Sequence, residues 1–186
     1  MKKKNNIKIS YGYDRGKLIS ISNNYNIRPT CKRIKVTVFG FLKKYIKNKI
    51  CLDLFSGTGS LMMESLSLGA KKIVVVEKNT YIIKKLKAIL TNFDTNRVVL
   101  FNTTAKYYIV NSFHKFHIIF LDPPYNINNL HNIILFILKK KLLFQEGIIY
   151  LELNNLYFFK NKYKKLHLHV VKKVGNTFIC LLIYKG

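Results

Sequence analysis

From Ile50 onward, short runs of apolar residues alternate with longer stretches in which apolar positions recur every three or four residues. The short runs predict strands over 50–55, 72–77, 98–102, 118–122 and 147–153. Helical spacing occupies 61–68, 82–93 and 130–140, and in the second of these Ile82, Ile83, Leu86, Ile89, Leu90 and Phe93 fall on one stripe. Strand and helix in turn are what a parallel sheet covered on both faces requires. Two further runs, 167–174 and 178–184, flank Gly175 and Asn176, a dipeptide that suits a tight turn between antiparallel strands. The predicted fold class is α/β and Rossmann-like, mostly parallel, with a C-terminal antiparallel hairpin and helices on both faces.

Before Ile50 the pattern changes. Residues 7–21 suggest a hairpin, 22–26 a polar loop, and a helix follows Pro29 with Ile34, Val38, Phe41, Leu42 and Tyr45 on one face. We divide the chain into an N-terminal extension, 1–49, and a main domain, 50–186.

At 186 residues and 49% hydrophobic content the chain can bury a single core without disulfides or metal. Cys31, Cys51 and Cys180 lie in apolar surroundings and predict buried thiols of a reducing compartment. The opening MKKKNN is not followed by an apolar stretch, and no run reaches membrane-spanning length, so the expected location is the cytoplasm. The formal charge of +25 is spread along the sequence and points to a polyanionic partner. A chain rich in lysine, asparagine and isoleucine also reflects genome bias, so only part of that charge counts towards a partner. The run from Tyr157 to Lys165 interleaves aromatics with lysines, which suits either a single-stranded nucleic-acid surface or a solvated helix with an apolar inner face. His114 and His117 could share a helix face, but no third ligand stands at metal spacing, and no metal is expected.

Two stretches carry chemistry. CLDLFSGTGS, residues 51–60, combines a buried strand, a glycine turn and a helix start, where small residues let a ligand approach the backbone. Glu77 ends the next strand, where a carboxylate can accept both hydroxyl protons of a ribose. An adenosine-containing cofactor follows from the pair. Gly59-Ser60-Leu61 lacks the Gly-Lys-Ser/Thr ending of a phosphate-cradling loop, and Met62 stands where a dinucleotide fingerprint wants a small residue. A cofactor without phosphates, whose amino-acid carboxylate meets the helix start, fits better, and S-adenosyl-L-methionine has that shape.

The second stretch, IIFLDPPYN at 118–126, ends a strand on Asp122-Pro123-Pro124-Tyr125. Open α/β sheets bind ligands at the carboxyl ends of their strands, so this tetrapeptide and the glycine turn share a rim. The prolines fix the backbone, which can hold the Pro123 carbonyl outward beside the Asp122 carboxylate. Two such acceptors suit a planar amine with two N–H donors, and Tyr125 offers a stacking face for its ring. An exocyclic amine is a poor nucleophile. Holding it in line with an electrophilic methyl, about 3 to 3.5 Å away, can supply on the order of 7 to 11 kcal/mol of the barrier. A paired base cannot enter such a site, so the target must be unpaired or flipped at a cost of roughly a few kcal/mol.

These residues bring a family into view. LDLFSGTGSLMMESLSLGA at 52–70 together with LDPPY at 121–125 resembles the class I S-adenosylmethionine-dependent methyltransferases. GYDRGK at 12–17 and IRPT at 27–30, with the helix through Arg33, Phe39 and Leu42, resemble the bacterial RsmD type, which methylates the guanine N2 amine of small-subunit (16S) ribosomal RNA. The resemblance implies that Asp53, Phe55, Ser56, Gly57 and Gly59 wrap the cofactor, that Glu77 holds its ribose beside Lys78, and that Thr104 occupies the position of the adenine contact. Asp122, Pro123, Pro124 and Tyr125 would hold the guanine. Arg28 and Thr30 would lie near cofactor and target, with Arg15, Lys17 and Arg33 on the RNA side. The implied partner is small-subunit ribosomal RNA, bare or in an assembling subunit, with the protein acting as a monomer. Lys32 and Val36 replace an acid and a glutamate common in the family helix, removing ion pairs expected to hold it down. Thr104 replaces the usual Asp or Asn, and Glu64 matches the family helix in a role either structural or functional. Two rival functions remain open: an adenine-N6 methyltransferase on DNA or RNA, and a non-catalytic basic RNA-binding assembly factor.

Overall fold

The extension builds a hairpin and a helix. In the computed structural model, which describes residues 5–21, 32–91, 93–123, 127–153 and 163–186, β1 (Asn5–Lys8) pairs antiparallel with β2 (Leu18–Ile21). Helix α1 (Lys32–Ile46) follows. Its inward face carries Ile34, Val38 and Leu42 as predicted, together with Phe39 and Ile46. Phe41 and Tyr45 pack only at its margin.

The main domain alternates as the apolar pattern requires. β3 (Ile50–Asp53), α2 (Ser60–Ser67), β4 (Lys72–Glu77), α3 (Thr80–Leu90), β5 (Val98–Asn102), α4 (Ala105–Asn111), β6 (Phe116–Leu121), α5 (Ile127–Lys139), β7 (Leu143–Leu153), β8 (Leu166–Val174) and β9 (Thr177–Tyr184) follow in order. The sheet runs β5-β4-β3-β6-β7-β9-β8. Its first five strands are parallel, and β9 pairs antiparallel with both β7 and β8 across the turn at Gly175 and Asn176. Two strands run longer than their patterns suggest. β6 starts at Phe116 and β7 at Leu143, with a register shift between Phe116 and Ile118 where Glu146 adopts a positive φ of 60°.

Alternation along each strand divides the core. Cys51, Ile73, Val75, Ile118, Phe120, Ile148 and Tyr150 face α1, α2 and α3, whereas Leu52, Val74, Val76, Ile119, Leu121 and Ile149 face α4 and α5. Cys51 and Cys180 are buried free thiols, and Cys31 lies outside the described residues. No helix among the described residues is long and apolar enough to cross a membrane.

The extension is locked to α2. Lys35 Nζ lies 2.9 Å from Glu64 Oε1 with both side chains buried, and also donates to the Lys8 carbonyl at 2.6 Å. Glu64 further accepts from the backbone N–H groups of Ser10, at 2.7 Å, and Tyr11, at 3.2 Å. The loss of acids at positions 32 and 36 therefore does not leave the helix untied: a lysine one turn on supplies the ion pair, and Glu64 is its structural anchor. At the far end of α2, Tyr13 N–H donates to the Ser67 carbonyl at 2.8 Å. Gly12, at φ +83°, passes so close that a Cβ there would stand 2.0 Å from the same Ser67 oxygen.

Candidate active site

The strand order reverses direction between β3 and β6, and at such a switch point the loops leaving neighbouring strands part to form a crevice. Asp53 ends β3 and Asp122 directly follows β6, so the two predicted motifs meet there. The register extends the row on both sides. Cys51, Ile73, Ile118 and Ile148 share a face, and by period-two alternation so do Asp53, Glu77, Asp122 and Glu152. Four of the eight acidic residues of a chain with 33 Lys and Arg line this one rim.

Their pairing sets them apart. Away from the rim, Asp14 pairs with Lys17, Glu64 with Lys35, Asp94 with Arg97 and Glu146 with Lys185. Among the described residues, Asp53, Glu77 and Glu152 have no such partner despite the excess of cations. Asp53 is buried and, among the described residues, accepts only the Phe55 N–H, at 3.3 Å, on Oδ1. Its Oδ2 and the hydroxyl of Ser56 are buried without a hydrogen-bond partner among the described residues. Burial foremost, with the charges of Asp122 and Glu77, pushes the Asp53 carboxyl up to about 7 against the Phe55 N–H and the neighbouring Ser56 hydroxyl. Glu152 is raised to about 7 as well, by burial and then by Asp122, although the Tyr150 hydroxyl donates to its Oε1.

Glu77 shapes the glycine turn. Its Oε2 accepts the Gly57 N–H at 3.1 Å and its Oε1 the Asn79 N–H at 2.9 Å, so one carboxylate pins the turn after β3 to the turn after β4. Gly57 (φ 48°) and Gly59 (φ 75°) both adopt left-handed conformations. Gly59 also has a packing reason to be small: a Cβ there would stand 2.6 Å from Leu86 Cδ2, so glycine lets α3 close against the start of α2.

Other predicted residues fall in varied places. Phe55 is half-buried beside Asp53, Ser56 is buried with its N–H on the Val76 carbonyl, and Lys78 is exposed. Thr104 caps α4, its hydroxyl accepting the Tyr107 N–H at 3.2 Å, which is ordinary work for a threonine at a helix start. Asn102 fastens the neighbouring turn by donating to the carbonyls of Glu77 and Lys78. Pro123 is half-buried next to Asp122. Pro124, Tyr125, Arg28 and Thr30 lie outside the described residues, as do positions 157–162 of the aromatic and lysine run. Arg33 is exposed on the first turn of α1. Arg15 and Lys17 belong to the hairpin turn docked on the C-terminal end of α2, the end remote from the rim, where Lys17 Nζ lies over the Phe93 ring at 4.7 Å. His114 and His117 do not share a helix: His114 lies in the loop before β6, and His117, on β6, accepts the Ile50 N–H. Sequence reasoning missed Glu152, although the rule that picked out Glu77, an acid ending an apolar strand, applies equally to it.

Comparison with known proteins bears on the family and the fold. The family described as conserved hypothetical protein 95 matches residues 7–183. The ribosomal RNA small subunit methyltransferase D of Buchnera aphidicola from Acyrthosiphon pisum is 34% identical over 154 residues, which is 81% of this chain and 80% of that protein. A solved structure of yhhF from Escherichia coli, a proposed methyltransferase, superposes with a TM-score of 0.86 at 24% identity, covering 98% of this chain and 99% of that one. A second proposed methyltransferase, crystallised in complex with SAH, superposes with a TM-score of 0.68 at 16% identity over 80% of this chain and 49% of that one. The fold is that of the class I methyltransferases.

Proposed function

Because this chain belongs to the conserved hypothetical protein 95 family, that of the RsmD-type methyltransferases, we propose that it transfers a methyl group from S-adenosyl-L-methionine to the N2 amine of a guanine in small-subunit ribosomal RNA. The observation that carries this reading is that Asp53, Glu77 and Glu152, on the rim at the switch point of a strongly basic protein, have no ion-pair partner among the described residues.

The residues present fit the cofactor. Asp53 Oδ2 and the Ser56 hydroxyl are buried polar atoms in want of partners, and Glu77, with one backbone N–H on each oxygen, keeps a lone pair on each for the two ribose hydroxyls. The cofactor, when bound, supplies an electrophilic methyl on a cationic sulfur. A cation nearby favours ionised Asp53, offsetting the burial that otherwise protonates it. On the other side of the switch point, Asp122 and the Pro123 carbonyl accept from the amine and hold it, so that positioning does most of the catalysis. The surrounding positive charge draws the RNA backbone and raises encounter rates. Arg15, Lys17, Arg28, Thr30 and Arg33 are our candidates for that contact. An adenine-N6 acceptor would meet the same two acceptors, and base identity separates the readings.

Incubation with labelled S-adenosylmethionine and small ribosomal subunits, bare rRNA or DNA, followed by nucleoside analysis, tests the proposal. N2-methylguanine on the rRNA, lost in Asp122→Ala, is the expected result. Methyladenine as sole product would overturn the guanine reading. Failure to bind the cofactor at all would favour a non-catalytic RNA-binding role.

A further inference from the structure

We propose that Glu152 is a specificity residue for the target base, accepting the N1–H of the guanine whose N2 amine is held by Asp122. The inference rests on the guanine-N2 reading above and adds a second contact to it. Phe120 pairs with Tyr150 and Leu121 with Leu151, and the same register carried one position on sets Asp122, directly after β6, beside Glu152 of β7 at one strand spacing, ~4.8 Å. They face the same side of the sheet as the buried, unpartnered Oδ2 of Asp53. That orphan oxygen marks the row as built for a ligand, since a closed network would have satisfied it.

When both are ionised, two neighbouring carboxylates present acceptors only. The Watson–Crick edge of guanine offers adjacent donors, N1–H and the N2 amine, whereas adenine offers a lone pair at N1. A base taken out of its helix is read along this edge. Asp122 alone can hold either amine, but a carboxylate beside it accepts from guanine N1 and repels adenine N1. Glu152 is held for such a task. The Tyr150 hydroxyl donates to its Oε1, and Tyr150, fully buried, meets the buried Phe120 ring edge-on at 6.0 Å between centroids. Among the described residues nothing donates to Oε2.

The test pairs a change in the enzyme with a change in the base. Small subunits are assembled on semisynthetic rRNA carrying either guanine or 2-aminopurine at the nucleotide the wild-type protein modifies. 2-Aminopurine keeps the amine and lacks the N1 proton. Wild type should methylate guanine roughly 10- to 100-fold faster, the worth of one hydrogen bond to a charged group. Glu152→Ala should cut the guanine rate by a similar factor and leave the 2-aminopurine rate within about threefold, while cofactor binding is unchanged. Glu152→Gln, which preserves shape and an acceptor for Tyr150, should fall between them. Equal wild-type rates on the two bases, or an equal loss on both in Glu152→Ala, would overturn the role of Glu152 alone. Absence of methylguanine on the guanine subunits with wild type would instead overturn the proposed function on which it rests.

Discussion

Glu64 and Asp53 are both buried carboxylates on the same side of the sheet, one on α2 and one ending β3, yet they have opposite surroundings. Glu64 meets an ammonium and two backbone N–H groups, and through them ties the extension to the domain. Among the described residues, Asp53 has one backbone N–H and an oxygen without a hydrogen-bond partner. Burial of a charge is tolerated where partners are complete and costs stability where they are not. The first carboxylate is architecture, while the second is the one we propose for the cofactor. In a chain with so many lysines, leaving an acid unpaired requires keeping cations away.

The contrast can be broken most forcefully at Glu64. Glu64→Ala strands the Lys35 ammonium and two N–H groups in the interior and should lower stability by about 3 to 5 kcal/mol in urea unfolding. Combining Lys35→Met with Glu64→Leu should recover a good part of that loss, because no charge is then left alone. Asp53 should show its character through pH. Its carboxyl rises from an ordinary 3.8 to about 7 in the folded protein, so it contributes stability in full below about pH 3.8 and loses it as pH climbs through 7. The loss for the unliganded protein should total roughly 4 kcal/mol, read as the difference between wild type and Asp53→Asn in urea midpoints from pH 4 to 8. Cofactor affinity should move the other way, weakening below pH 7 as Asp53 takes up its proton.

Smaller effects sharpen the boundary between the two regions. Gly12→Ala forces a Cβ against the rigid Ser67 carbonyl and should cost about 2 kcal/mol or somewhat more, without altering cofactor affinity in the folded fraction. Thr104→Ala removes the cap of α4 and should cost about 1 kcal/mol. A fall in cofactor affinity with unchanged stability would show instead that Thr104 touches the adenine.

Much of this fold was legible because period-two and helical spacing speak directly to burial. The strands at 72–77 and 98–102 and the turn at Gly175 and Asn176 stand where the pattern places them. Helix α4 was not, since its seven residues after Thr104 are too few to show a stripe and its aromatics are divided between core and solvent, with Tyr108 buried and Tyr107 exposed. The rim motifs were legible because acid, glycine and proline are scarce and positioned by strand ends. Lys35 was not, for the opposite reason: nothing in the sequence separates a buried lysine from the 28 others, and only the fold brings it to Glu64. Glu152 was overlooked because its neighbours read only as a buried strand, and its significance depends on β7 lying beside β6, a fact of topology.

The β3–β6 pairing joins Cys51 to Ile118, positions far apart in the chain. Ring closure of that span must precede any meeting of the glycine turn with Asp122, and β7 in turn is held on its outer edge by β9. The rim therefore cannot be brought together by local contacts alone, because its two motifs sit on strands that meet only through a long-range pairing.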